Sequence, residues 1–83
     1  MTRYFFHLRS YSDELLDSEG CELPNLEAAR DQAIRYAQDT LSHEIREGRL
    51  NLSYRLDVED SDGTIAHSLP FSEAFEVVGS KPA

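Results

Sequence analysis

The chain has 83 residues, with 16 Asp plus Glu against 8 Lys plus Arg and a formal net charge of −8. That length makes a single domain with a thin core, and the acidic balance is repelled by phosphate backbones, which argues against direct nucleic-acid binding. The only cysteine, Cys21, rules out an internal disulfide and suits a reducing cytosol, no stretch approaches the ~20 apolar residues of a membrane span, and Met1-Thr2-Arg3 leads into a strand, not a signal peptide.

The expectation is therefore a soluble, cytoplasmic, non-membrane protein. With neither disulfide nor clustered metal ligands, self-association is its remaining route to added stability.

The first strand spans about residues 3 to 9. It carries Tyr4, Phe6 and Leu8 on one face and Phe5, between Arg3 and His7, on the other. Apolar residues on both faces mark a central strand. Tyr11 to Glu14 is a polar connection. Glu14 to Asp17 reads as a short second strand, and Ser18-Glu19-Gly20 as a turn. Cys21 to Pro24 reads as extended chain entering the helix, because the residue before a proline avoids helical angles.

Asn25 is the expected N-cap, with Glu27 in the first turn where the helix dipole favours an anion. Leu26, Ala29, Ala33, Tyr36, Ala37, Thr40, Leu41 and Ile45 then form one apolar stripe, and Gly48 ends the helix. Small alanines let such a helix lie close to a sheet. Tyr54, Leu56 and Val58 alternate with Arg55, Asp57 and Glu59, the period of a half-buried strand. Asp60-Ser61-Asp62-Gly63 is a hairpin turn. Thr64 to Leu69 is the fourth strand, with Ile65, His67 and Leu69 on one face, and Pro70 stops it. Ser72 is placed to cap a short helix over Glu73 to Glu76, and residues 79–83 read as a frayed tail.

The fold class that follows is α+β with order ββαββ. Residues 1–78 form the domain: two hairpins make a four-stranded antiparallel sheet, and one long amphipathic helix covers one face. The opposite face, around Phe5, is left for the Phe71–Phe75 tail or a second copy of the chain to cover.

Four stretches together resemble a known family. They are Arg3-Tyr4-Phe5-Phe6-His7-Leu8-Arg9, Glu22-Leu23-Pro24-Asn25-Leu26-Glu27-Ala28-Ala29-Arg30, the Asp62-Gly63 hairpin, and Leu69-Pro70-Phe71. The family is small and bacterial, found mostly in rhizobia and related alphaproteobacteria, and known only as a domain of unknown function. The resemblance implies a bacterial cytosolic protein with no established activity, and so supplies no catalytic residues. The hairpin followed by a Leu-Pro and a Leu-Glu-Ala-Ala helix also looks like the HicB-type antitoxin fold. Leu23-Pro24-Asn25 stands here where that family has Leu-Pro-Gly-Cys, so any function drawn from it is analogy.

Candidate chemistry is sparse. His7 and His67, with Asp57 or Glu59, would suit an N/O metal site. No His-x-x-x-His spacing supports it, and partly exposed sheet histidines are the plainer account. Asp60-Ser61-Asp62-Gly63 fails as a calcium loop, since Val58 and Leu69 occupy its first and last ligand positions. Cys21 sits among Glu19 and Glu22, anions that suppress a thiolate. No catalytic, cofactor-binding or metal residues are assigned.

Arg3, His7, Arg9 and Arg55 form a basic strip around Phe5. The strip suits an anionic ligand, the acidic groups of a symmetry mate, or cross-strand pairing with Asp57 and Glu59. The expected function is a non-enzymatic interaction domain, a homodimer or the partner of another protein. Its candidate face is Arg3, Phe5, His7, Arg9, Arg55 and Asp57. The alternative is a small anionic-ligand or metal-binding domain on His7 and His67 with Arg3, Arg9 and Arg55.

Overall fold

The computed structural model of the chain describes residues 1–76 and 78. Its elements are β1 (Thr2–Arg9), β2 (Glu14–Leu15), β3 (Cys21–Leu23), α1 (Leu26–Arg46), β4 (Arg55–Glu59), β5 (Ile65–Pro70) and a 3₁₀ turn (Phe71–Glu73). The class is α+β, as expected, with one helix packed on an antiparallel sheet. The sheet has five strands, not four. Its order is β2-β1-β4-β5, with β3 also pairing β1. Among the described residues, no helix is long and apolar enough to cross a membrane.

The fifth strand is the main departure. Cys21 to Leu23, read as a lead-in to the helix, pairs with β1 at Thr2↔Leu23, Arg3↔Glu22 and Tyr4↔Cys21. The reason is backbone accounting. β1 is eight residues long while β2 is two, so the N-terminal half of β1 needs other partners for its amides and carbonyls. Between the pairs Leu8↔Leu15 and Tyr4↔Cys21, five residues (16–20) stand opposite three (5–7). The excess is a bulge, and it returns in the site below.

Tyr4, Phe6, Leu56, Val58 and Leu69 line the inner face of the sheet and meet Ala29, Ala33, Ala37 and Leu41 of α1. The three alanines are fully buried, the close approach that small side chains permit. The stripe is narrower than the sequence suggests, since Tyr36 and Ile45 are exposed. Asn25 caps α1 by accepting the Ala28 N–H at 2.9 Å. At the other end, Arg49 N–H reaches Glu44 O and Gly48 N–H reaches Ile45 O, each at 3.0 Å, with Gly48 at φ +83. That is a Schellman termination, which favours glycine at the left-handed position.

The C-terminal piece is a 3₁₀ turn following Pro70, and Ser72 caps no helix. Phe71 is fully buried in the core, against Tyr54, and Gln38 of α1 donates to Ala74 O at 3.0 Å. This segment lies on the helix side, so it is not the cover for the outer face. The expected tail, 79–83, lies outside the described residues.

Candidate functional site

The outer face of the sheet carries Arg3, Phe5, His7 and Arg9 from β1 and Arg55, Asp57 and Glu59 from β4. Strand alternation puts them there, and the register sets them opposite each other: Phe5↔Glu59, His7↔Asp57, Arg9↔Arg55. Ser68 of β5 joins them across from Asp57. All six residues of the expected interaction face therefore share one surface, on the side of the sheet away from α1, with His7 and Asp57 buried in it.

Arg9 and Arg55 stand directly opposite, which alone would be repulsive. Asp57 resolves this. Its carboxylate accepts from Arg9 Nη1 at 2.8 Å and from Arg55 Nε at 3.2 Å, and it also accepts the Ser68 hydroxyl. Burial pushes the Asp57 carboxyl up, but the Ser68 hydroxyl, Arg9 and Arg55 outweigh it and hold it below the ordinary carboxylate value. Arg9 also pairs with Glu14 at 3.1 Å. The hydrogen bonds to Asp57 and Glu14 raise its guanidinium further. Arg3 pairs with Glu22 at 3.1 Å and donates to Glu19 O at 2.7 Å. Cross-strand pairing is thus what Arg3, His7 and Arg9 do, while Arg55 pairs with Asp57 on its own strand. Each arginine of the basic strip already holds a carboxylate, which takes from the anionic-ligand alternative the free cations it needs.

His7 is only 6% exposed. Its Nδ1 lies 3.1 Å from the Asp17 N–H and its Nε2 lies 2.7 Å from Glu59 Oε1. A backbone N–H can only donate, so Nδ1 is the acceptor. His7 is therefore neutral, with its proton on Nε2 and donated to Glu59. The Phe5 ring lies parallel to the imidazole, 6.4 Å away.

The pairing of His7 with His67 that the ligand-binding alternative needs does not occur. His67 is in register with Val58, a core residue beneath α1, so the two histidines lie on opposite faces. β4 also runs between their strands. Among the described residues, no group of three His, Cys, Asp or Glu side chains could hold a metal.

The sequence reading missed Asp17. This residue sits in the 16–20 bulge, and its carboxylate accepts the N–H groups of Phe6, Glu19 and Gly20, each at 3.1 Å. It supplies the acceptor that a strand backbone would have offered Phe6. Burial raises the Asp17 carboxyl, but the backbone N–H groups of Gly20, Phe6 and Glu19 bring it below its ordinary value. Asp17-Ser18-Glu19-Gly20 is an Asx-turn signature, the signal from which it could have been read.

The bulge also walls a groove of about 430 Å³ beside α1, lined by Phe6, Leu8, Leu15, Leu16 and Tyr36 among others. Leu15 and Leu16 are 70% and 54% exposed.

A family model described as Domain of unknown function (DUF6894) matches residues 3–72, from β1 into the 3₁₀ turn. No curated protein and no solved structure matches the chain.

Proposed function

The chain belongs to the DUF6894 family of domains of unknown function, and from that premise we propose that it is a non-enzymatic cytoplasmic interaction domain. Its outer sheet face joins two copies, and a different protein partner on the same face is the nearest extension.

The observation that carries this reading is the charge balance of the face away from α1. Three arginines (Arg3, Arg9, Arg55) and four carboxylates (Glu14, Glu22, Asp57, Glu59) lie on it, so it holds one of the chain's eight net negative charges. The other seven are elsewhere, where two copies would repel each other. A face with both signs in fixed positions can meet itself about a two-fold axis, its arginine–carboxylate pairs set against those of the other copy. Half-buried Phe5 supplies apolar area near its centre. The charged groups hold one another and do not converge on a cleft, which supports a contact surface over a catalytic one.

Replacing Arg55, an exposed member of the face, tests the reading. Arg55→Glu adds two negative charges to each copy of the face and is expected to weaken self-association at least about tenfold by sedimentation velocity. The same reversal at Arg30, on the exposed side of α1, is expected to leave association unchanged. Equal effects from both substitutions would remove the face from consideration.

A further inference from the structure

The bulge at residues 16–20 is fastened to the sheet through a titratable acceptor. Asp17 gives its N–H to Nδ1 of buried His7 and takes the Phe6, Glu19 and Gly20 N–H groups on its carboxylate. The first of these bonds exists only while Nδ1 is unprotonated. We propose that the bulge is a protonation latch: neutral His7 holds it closed through the Asp17 N–H, and uptake of a solvent proton at Nδ1 releases it.

The surroundings of His7 make release local and not global. From β4 it faces Asp57 in register and Glu59 at 2.7 Å; from the bulge it faces Asp17; along β1 its neighbours on the same face are Phe5 and Arg9. Helix α1 lies on the opposite side of the sheet and contributes no charge here. Arg55 adds a second cation beyond Asp57, whose carboxylate it shares with Arg9. Three carboxylates against two arginines leave a net negative surrounding that can hold an imidazolium in place. The ring therefore stays seated when it gains a proton, and Nε2 keeps Glu59. What cannot survive is a donor facing a donor at Asp17.

Asp17 must then turn away. The Leu16, Asp17, Ser18 and Glu19 wall of the groove beside Tyr36 moves with it. The latch thus couples proton uptake to the shape of the one edge of β1 where Leu15 and Leu16 stand exposed.

Nuclear magnetic resonance on the intact chain tests this, by titration from about pH 8 to about pH 5, across the ordinary histidine range. Imidazole nitrogen shifts report the His7 proton, and amide hydrogen exchange reports the bulge. The expected result is that the Asp17, Phe6, Glu19 and Gly20 amides shift with the His7 midpoint. Exchange at Asp17 and Phe6 should rise about tenfold once His7 is charged, while α1 amides stay protected. His7→Asn keeps an acceptor at the Nδ1 position and cannot titrate, so its bulge amides should show no such step. The proposal is overturned if His7 gains its proton with bulge exchange unchanged, if His7 stays neutral until α1 also loses protection, or if the step persists in His7→Asn. Should His7→Asn fail to fold, the wild-type titration decides alone, with the midpoints of His43 and His67 as internal controls.

Discussion

Asp57 stands directly across the ladder from His7, yet its carboxylate goes to Arg9, Arg55 and Ser68, while His7 turns to Glu59 and the Asp17 N–H. The outer face is therefore two adjoining networks, not one. The Asp57 network keeps two opposed arginines together. The His7 network fastens a bulge to the centre of the sheet.

Asp57→Ala leaves Arg9 and Arg55 facing each other without a mediator. Both arginines are partly exposed, so the full penalty of a buried orphan charge does not apply. A loss of about 2 kcal/mol is expected in urea denaturation. In a double-mutant cycle, Arg9→Ala is expected to cost clearly less in the Asp57→Ala background than in the wild type.

Acid should weaken the fold through two carboxyls. Asp17 and Asp57 both sit below their ordinary values in the folded chain, so the unfolded chain takes up these protons first as pH falls. Their contribution is complete above the unfolded carboxylate value of about 3.9 and disappears as pH drops through the lower folded values. Thermal melts in that acid window should show a steep fall in Tm, and Asp57→Asn should show a shallower one.

Two glycines should respond differently to alanine. Gly48 has φ +83 and nothing within 4 Å of an added Cβ, so only the left-handed angle opposes the change, by about 1 kcal/mol. Gly20 has φ +73, and its Cβ would lie 2.9 Å from Tyr4 O, Arg3 Cγ and Phe5 Cε2. A backbone oxygen cannot move aside as a side chain can. Gly20→Ala should cost about 2 kcal/mol or more, and equal losses at the two sites would contradict the packing described for the bulge.

Asp17→Ala removes the acceptor for Phe6, Glu19 and Gly20 while keeping its own N–H for His7. Stability should fall by about 2 kcal/mol, and hydrogen exchange should accelerate at Phe6 before any change in α1.

Local signals carried most of the fold. The two-faced pattern of Tyr4, Phe5, Phe6 and Leu8 marks β1 as central, and the register bears that out. Asn25 and Gly48 bracket α1 as their cap chemistry demands. Asp60 and Gly63 close the hairpin, Asp60 Oδ1 taking the N–H groups of Asp62 and Thr64. What the sequence hid depends on partners far away in the chain. Cys21 to Leu23 is too short to announce a strand and exists because β1 has backbone to satisfy. Phe71 belongs to the core for a tertiary reason, the space beside Tyr54.

The site was half legible. Alternation alone brings Arg3, Phe5, His7, Arg9, Arg55 and Asp57 to one surface. The same alternation already placed His67 with Leu69, on the side of the core, so the opposition of His7 and His67 was present in the pattern. The arginines' carboxylate partners needed the register, and the role of Asp17 needed the bulge.

The proposed function is that the outer face, close to neutral in a strongly acidic chain, joins two copies. Sedimentation equilibrium up to high micromolar concentration tests it most directly. The expected mass rises with concentration toward twice the 9.5 kDa of one chain, and Arg55→Glu stays near 9.5 kDa over the same range. A wild-type chain that stays at the single-chain mass throughout would contradict it.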